Sequence, residues 1–139
     1  MKFTLKVLLL ILPFFSMAQD WQMKQAPLMT NFSQDIDPEN VLPEYPRPQL
    51  ERSSWKNLNG IWQFQPGIGA QDPLPAGDLT RRILVPFAIE SAISGVMEHH
   101  PRIWYRRHFI VPESWNGQRI RLNFGAVDYE AEVFINGTS

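Results

Sequence analysis

The 139 residues carry 13 Lys and Arg against 14 Asp and Glu, a formal charge of −1, with 44% hydrophobic side chains and no Cys. That length allows one domain at most, and the apolar content is sufficient for a core, which excludes wholesale disorder. No basic run stands out, so nucleic acid is excluded as a partner, and disulfides can contribute nothing to stability.

The chain opens with Met1, Lys2 and Lys6, then a nine-residue, largely apolar run from Val7 to Phe15, then Ser16, Met17 and Ala18. A positive start, a short apolar stretch and small residues at a cleavage site predict a signal peptide over residues 1–18, cut after Ala18. The run is far shorter than the ~20 residues a membrane-crossing helix needs. An uncleaved anchor is the alternative. Cleavage removes two lysines and no acid, taking the formal charge from −1 to −3. The expected location is outside the cytoplasm, secreted or periplasmic, with no membrane association after cleavage.

Residues 19–54 contain Pro27, Pro38, Pro43, Pro46 and Pro48. Each proline fixes φ and removes a donor, so neither a helix nor a continuous ladder can run through the segment. It is expected to lie extended across a domain surface, pinned by Tyr45, Leu50 and Trp55. The remainder, residues 55–139, is expected to form a partial β-sandwich.

Strand signals begin at Gly60 with Ile61-Trp62-Gln63-Phe64, stopped by Pro66-Gly67. Ile83-Leu84-Val85 is a second short apolar run, ended by Pro86. Residues 87–101 show no clean period and are read as a loop, with one helical turn over Ile89–Ile93. Ile103–Val111 is the best strand, with Ile103, Tyr105, Phe109 and Val111 on one face and Arg107 interrupting it. After a turn at Pro112–Gly117, Ile120, Leu122 and Phe124 alternate with Arg119, Arg121 and Asn123. A last strand is expected over Tyr129–Ile135, ending in Asn136-Gly137, a pair that tolerates the positive φ of a type I′ hairpin turn. Only two residues follow that turn, so the hairpin reads as cut. Short strands joined by Pro/Gly turns predict an all-β fold, an antiparallel β-sandwich of jelly-roll form, incomplete at its C-terminal end.

The motifs then become specific. Tyr45-Pro46-Arg47-Pro48 is followed by Arg52, Trp55, Leu58-Asn59-Gly60, Trp62 and Phe64. Next come Val85-Pro86-Phe87 with Glu90-Ser91 and Ser94-Gly95, Trp104-Tyr105-Arg106-Arg107 with Phe109 and Val111-Pro112, and Phe124-Gly125-Ala126-Val127-Asp128-Tyr129 with Ala131, Val133 and Asn136-Gly137. In this order, from Tyr45 to Gly137, the sequence resembles the N-terminal sugar-binding domain of glycoside hydrolase family 2, the β-galactosidase and β-glucuronidase group. The resemblance implies a galactose-binding-like jelly roll, a carbohydrate partner, and a parent enzyme that hydrolyses O-glycosidic bonds with two carboxylates on a later (β/α)₈ barrel. No Glu of this chain matches either catalytic motif, so no catalytic residue is assigned; no cofactor or metal is expected. In some β-galactosidases the second residue after the Val-Pro pair is a substrate-reaching Asn. Here it is Ala88, which cannot make that hydrogen bond.

Three residues are the candidates for sugar contact: Glu90, His99 and Trp104. Glu90 follows the Val-Pro turn, and a carboxylate there can accept from a hydroxyl. Trp104 or its neighbour Tyr105 can stack on a ring, although at strand spacing one of the two faces the core. Glu98-His99-His100 invites a metal reading, but adjacent side chains of an extended chain point apart and no third ligand is near. Arg106 and Arg107 suit either a structural ion pair or a clamp on a uronic acid carboxylate. Three functional readings stay open: the non-catalytic opening domain of a secreted family 2 glycosidase together with its missing C-terminal domains, a stand-alone carbohydrate-binding module, and a non-functional gene remnant.

Overall fold

The computed structural model describes residues 20–69 and 71–139. The expected leader over residues 1–18 lies outside the described residues. Among them, the regular structure is a three-stranded antiparallel sheet in the order β2-β1-β3 and three short 3-10 turns. The strands are β1 (Gly60–Pro66), β2 (Arg81–Val85) and β3 (Ile103–Arg106). The sheet agrees with the all-β expectation.

β1 is central because its aromatic and β-branched residues suit a strand covered from one side. It pairs with β2 from Gly60↔Val85 to Phe64↔Arg81 and with β3 from Gln63↔Arg106 to Pro66↔Ile103. This register puts Trp62, Phe64 and Ile83 on one face, where Phe64, Ile83, Ile89 and Val96 form the core, with Trp62, Val85 and Ile103 packed against it. Burying each of the larger side chains is worth roughly 1.5–3 kcal/mol.

The loop 86–100 covers this core without forming a helix. Ile89–Ile93 makes turns instead of the expected helical turn: Ser91 N–H donates to Ala88 O (2.9 Å) and Gly95 N–H to Ala92 O (3.1 Å). The buried Ser94 hydroxyl knots the loop, lying 2.9 Å from Ile89 O and 2.7 Å from Ser91 O and accepting the Val96 N–H at 3.0 Å. The loop then runs along the outer edge of β2, where Leu84 N–H donates to Ser94 O at 2.9 Å.

Residues 20–24 form a strap on the far side of that loop. Lys24 N–H donates to Ala92 O (3.0 Å), the Trp21 indole N–H to Ser94 O (2.9 Å) and the Lys24 ammonium to Val96 O (2.7 Å). The proline-rich stretch beyond it makes 3-10 turns at Asn31–Asp35 and Pro48–Leu50 and no strand. The Asn57 side-chain amide holds this stretch by donating to Val41 O and Leu42 O, each at 3.0 Å. Tyr45 and Trp55 pack edge to face at 5.1 Å, but Leu50 is exposed and pins nothing.

Strand β3 is shorter than the periodicity predicts. It ends at Arg106, and residues 107–111 leave the sheet. The cause is Arg107. Ile61 turns its carbonyl toward the β3 side of β1, where the next ladder bond would form, and the Arg107 guanidinium takes that oxygen. A side-chain donor thereby replaces a backbone donor and the ladder stops.

The expected strands over Ile120–Phe124 and Tyr129–Ile135 do not form. Residues 119–134 make no backbone–backbone hydrogen bond among the described residues, and Ile120, Phe124 and Tyr129 are exposed. Alternation marks a face for burial but cannot supply a partner backbone. Both edges of β1 are occupied, and among the described residues the free edge of β3 meets no strand. The hairpin turn itself is present: Asn136 and Gly137 have φ of 51° and 83°, and Ile135 and Thr138 exchange bonds of 2.8 and 3.0 Å. Positive φ at both central residues is the type I′ geometry the Asn-Gly pair predicts.

Candidate functional site

The most elaborate polar surface lies on loop 86–100 and the adjoining strands. Chain parity decides where its groups go. Residues 98–100 are extended, so Glu98 and His100 share one side and His99 faces the other. His99 Nδ1 lies 3.1 Å from Glu90 Oε1, and both side chains are exposed. Glu90 is held below the usual carboxylate range, first by its own backbone N–H and then by His99. Its charge in turn reaches Tyr105: burial, then the Glu90 carboxylate, pushes the phenol pKa up.

On the opposite side of residues 98–100, Glu98 accepts two bonds from Arg81 (2.8 and 2.7 Å) and one contact from His100 Nε2 (2.8 Å). The Arg81 guanidinium also lies 4.7 Å over the Phe64 ring. This bidentate fork ties β2 to the loop. Arg81 first, and His100 second, hold Glu98 down to about 2 from an ordinary 4.5.

A folded-state pKa below the unfolded one means stability present above pH 4.5 and lost as pH falls toward 2. Glu98 is about two-fifths exposed, so solvent screening limits the effect to on the order of 1 kcal/mol. Glu98→Gln is therefore expected to be less stable than the parent at pH 7 and to converge with it by pH 2. Urea midpoints measured across that range check this. An unchanged gap at low pH would contradict it.

The structure brings Glu90 and His99 together and separates Trp104 from them. Trp104 pairs with Gln65, whereas Tyr105 pairs with Phe64, so the two aromatics lie on opposite faces of β3. Trp104 packs 6.2 Å from Phe134, and Tyr105 lies 6.5 Å from Phe64 with two-fifths of its surface exposed. Tyr105 is thus the aromatic on the Glu90 side. Strand parity together with the core face would have picked it out. Among the described residues Arg106 and Arg107 form neither an ion pair nor an open clamp: both donate to backbone carbonyls, of Pro75 and Ile61. Among the described residues, no group of three or more His, Cys, Asp or Glu could hold a metal ion.

The chain is thus a small antiparallel sheet carrying a hydrogen-bonded loop with an exposed carboxylate–imidazole pair. No protein-family model matches the chain. It is 30% identical over 100 residues to a β-glucuronidase of Paenibacillus borealis, a match that covers 67% of this chain and 17% of that protein. The chain therefore spans about one sixth of the length of this curated relative. The similarity relates the chain to a segment of this β-glucuronidase.

Proposed function

We propose that the chain is the N-terminal sugar-binding portion of a secreted glycoside hydrolase family 2 enzyme, itself non-catalytic. The similarity to a β-glucuronidase carries this reading, and the four ordered motifs between Tyr45 and Gly137 support it. In this proposal the β2-β1-β3 sheet is one layer of a jelly roll, and the exposed alternating segments 119–124 and 129–135 belong to strands that need further chain to pair with. The Glu90–His99 pair contributes sugar contacts at the rim. Glycosidic hydrolysis is the work of a carboxylic acid that protonates the leaving oxygen and a carboxylate that attacks the anomeric carbon, about 5–5.5 Å apart in a retaining enzyme. Both belong to a barrel beyond these residues.

Sequencing the transcript tests the proposal: an in-frame barrel with two catalytic Glu is expected. The full product should cleave aryl β-glucuronides with retention of configuration, whereas residues 19–139 alone should cleave none. A transcript without a barrel overturns it.

The exposed Glu90–His99 pair also keeps a binding-module reading in view. Glu90→Ala and His99→Ala are each expected to weaken oligosaccharide binding about fivefold, the loss of one hydrogen bond of ~1 kcal/mol. Calorimetry on the full product measures this. Trp104→Ala, on the opposite face, is expected to leave the affinity within twofold, and an equal loss from all three changes would remove the rim from the binding site.

A further inference from the structure

The sequence holds three Asn-Gly pairs, Asn59-Gly60, Asn116-Gly117 and Asn136-Gly137, and the fold gives them different surroundings. Asn followed by Gly is the dipeptide most open to attack by its own backbone. The nitrogen after the Asn closes on the side-chain carbonyl carbon, Cγ, and a glycine there puts no Cβ in the way. The carbohydrate-rim reading uses none of these pairs.

Asn59-Gly60 is enclosed. Gly60 is buried and opens β1. Ile61 faces β3, so its neighbour Gly60 turns its N–H toward β2, opposite Val85. A Cβ built on Gly60 would lie 3.2 Å from Pro38 O and 3.5 Å from Arg107 Nη1, so there is little room around the nitrogen. The Asn59 side-chain amide donates to Val41 O at 3.3 Å. Both reacting groups are engaged, and ring closure requires the start of β1 to come apart.

Asn116-Gly117 and Asn136-Gly137 are open. All four residues are exposed, and a Cβ built on either glycine would meet nothing within 4 Å. Among the described residues neither glycine N–H donates to a backbone carbonyl. Both pairs sit in turns, with glycine φ of 77° and 83°. Asn116 has ψ of 134°, so its backbone must rotate before the Gly117 nitrogen faces Cγ. Little resists such rotation. Gln118 N–H to Trp115 O, 3.0 Å, closes the first turn, and the two bonds between Ile135 and Thr138 close the second. Residues 119–134 between them make no backbone–backbone bond among the described residues. Exposed turns with so few ties open at the low end of the stability range.

We propose that Asn116 and Asn136 are sites of self-modification, converting to aspartate and isoaspartate, while the fold spares Asn59. The glycine nitrogen loses its proton and bonds to Cγ. The Cγ–Nδ2 bond breaks, and ammonia leaves with that proton. Water then opens the five-membered ring. Opening at the side-chain carbonyl gives aspartate, and opening at the backbone carbonyl gives isoaspartate. Water is the sole co-reactant. The two products differ in effect at the hairpin. Asp-Gly suits the same turn as Asn-Gly, whereas isoaspartate lengthens the main chain by a carbon, and a two-residue loop no longer fits. Isoaspartate at position 136 therefore unlatches Ile135 from Thr138.

The test incubates the full product at mildly alkaline pH and follows each Asn by peptide mass spectrometry. Asn116 and Asn136 are each expected to convert at least about tenfold faster than Asn59, which reacts only through local opening of β1. In urea the three rates are expected to converge within about threefold, because the unfolded chain leaves all three pairs free. Molecules with isoaspartate at position 136 are expected to lose amide-exchange protection at Thr138, and Asn136→Asp to keep it. Equal rates at all three positions in the folded protein overturn the proposal. An open site that does not outpace Asn59 overturns its own assignment. Asn59 remaining slow in urea places the difference in neighbouring side chains and overturns the protection by the fold. Unchanged protection of Thr138 in the isoaspartate form overturns the unlatching. A missing barrel defeats the enzyme reading without altering any of these rates, so the two failures are distinguishable.

Discussion

Replacing Phe64 by Ala is expected to cost about 3–5 kcal/mol and to abolish cooperative unfolding of the chain. Phe64 is fully buried at the centre of the sheet, and its removal touches every part of the core. The ring is flanked by His100 at 6.4 Å and Tyr105 at 6.5 Å, with the Arg81 guanidinium over its face. Truncation leaves a cavity lined by Ile83, Ile89 and Val96 and strips the guanidinium of its π partner. Whole domains are stable by only about 5–15 kcal/mol, and four core side chains place this one at the low end of that range. Exposed Phe32 is the matched control: Phe32→Ala is expected to change stability by no more than ~0.5 kcal/mol. Denaturant unfolding of the two variants gives the comparison. Similar midpoints would mean that the core lies elsewhere.

The second large effect is expected at Gly95. Its φ is +82°, and a Cβ built there would lie 2.5 Å from Trp21 Nε1, 2.6 Å from Trp21 Cδ1 and 2.8 Å from Gln22 O. An Ala in this backbone region costs about 1–2 kcal/mol, and forcing a ring and a carbonyl aside costs about 1–3 more. Gly95→Ala is therefore expected to destabilise by about 2–5 kcal/mol and to expel Trp21, seen as a red shift of tryptophan emission. Trp21→Ala removes most of the obstruction. In the double variant the cost of Gly95→Ala should fall to the backbone strain and the remaining approach to Gln22 O, a coupling that a double-mutant cycle reads directly. Additive costs would show that the strap is not seated against Gly95.

Much of the sheet was legible in the sequence because local signals and tertiary pairing agree there. Ile61–Phe64 and Ile83–Val85 are short, apolar and bounded by proline or glycine, and they form β1 and β2. The Asn136-Gly137 turn is legible because its chemistry is confined to two residues. β3 was overread because periodicity cannot reveal that the Arg107 side chain would take the Ile61 carbonyl, 46 residues earlier. The segments around Leu122 and Val133 show the same limit from the other direction: a well-patterned strand is only half of a ladder.

The candidate site was legible in part. Parity anticipated that His99 and His100 would diverge and that only one of Trp104 and Tyr105 would face the core. It could not say that His99 would meet Glu90 or that Arg81 would meet Glu98, since both depend on how the loop folds back over Phe64. The small cleft between the strap and β2 gave no signal at all. Its lining comes from residues 20–24, 81–82 and 95, brought together only when the strap docks.

That docking has a consequence for the order of events during synthesis. Trp21 and Lys24 close on Ser94 and Val96, 73 and 72 residues downstream. At about 5–20 residues per second, roughly 4–15 s pass before the ribosome has made the partners of the strap. Throughout that interval residues 20–24 lack the loop they dock on. If the leader is a signal peptide, the translocation machinery meets an open, ungripped polypeptide, and the strap is locked only after the rest of the sheet has followed it out.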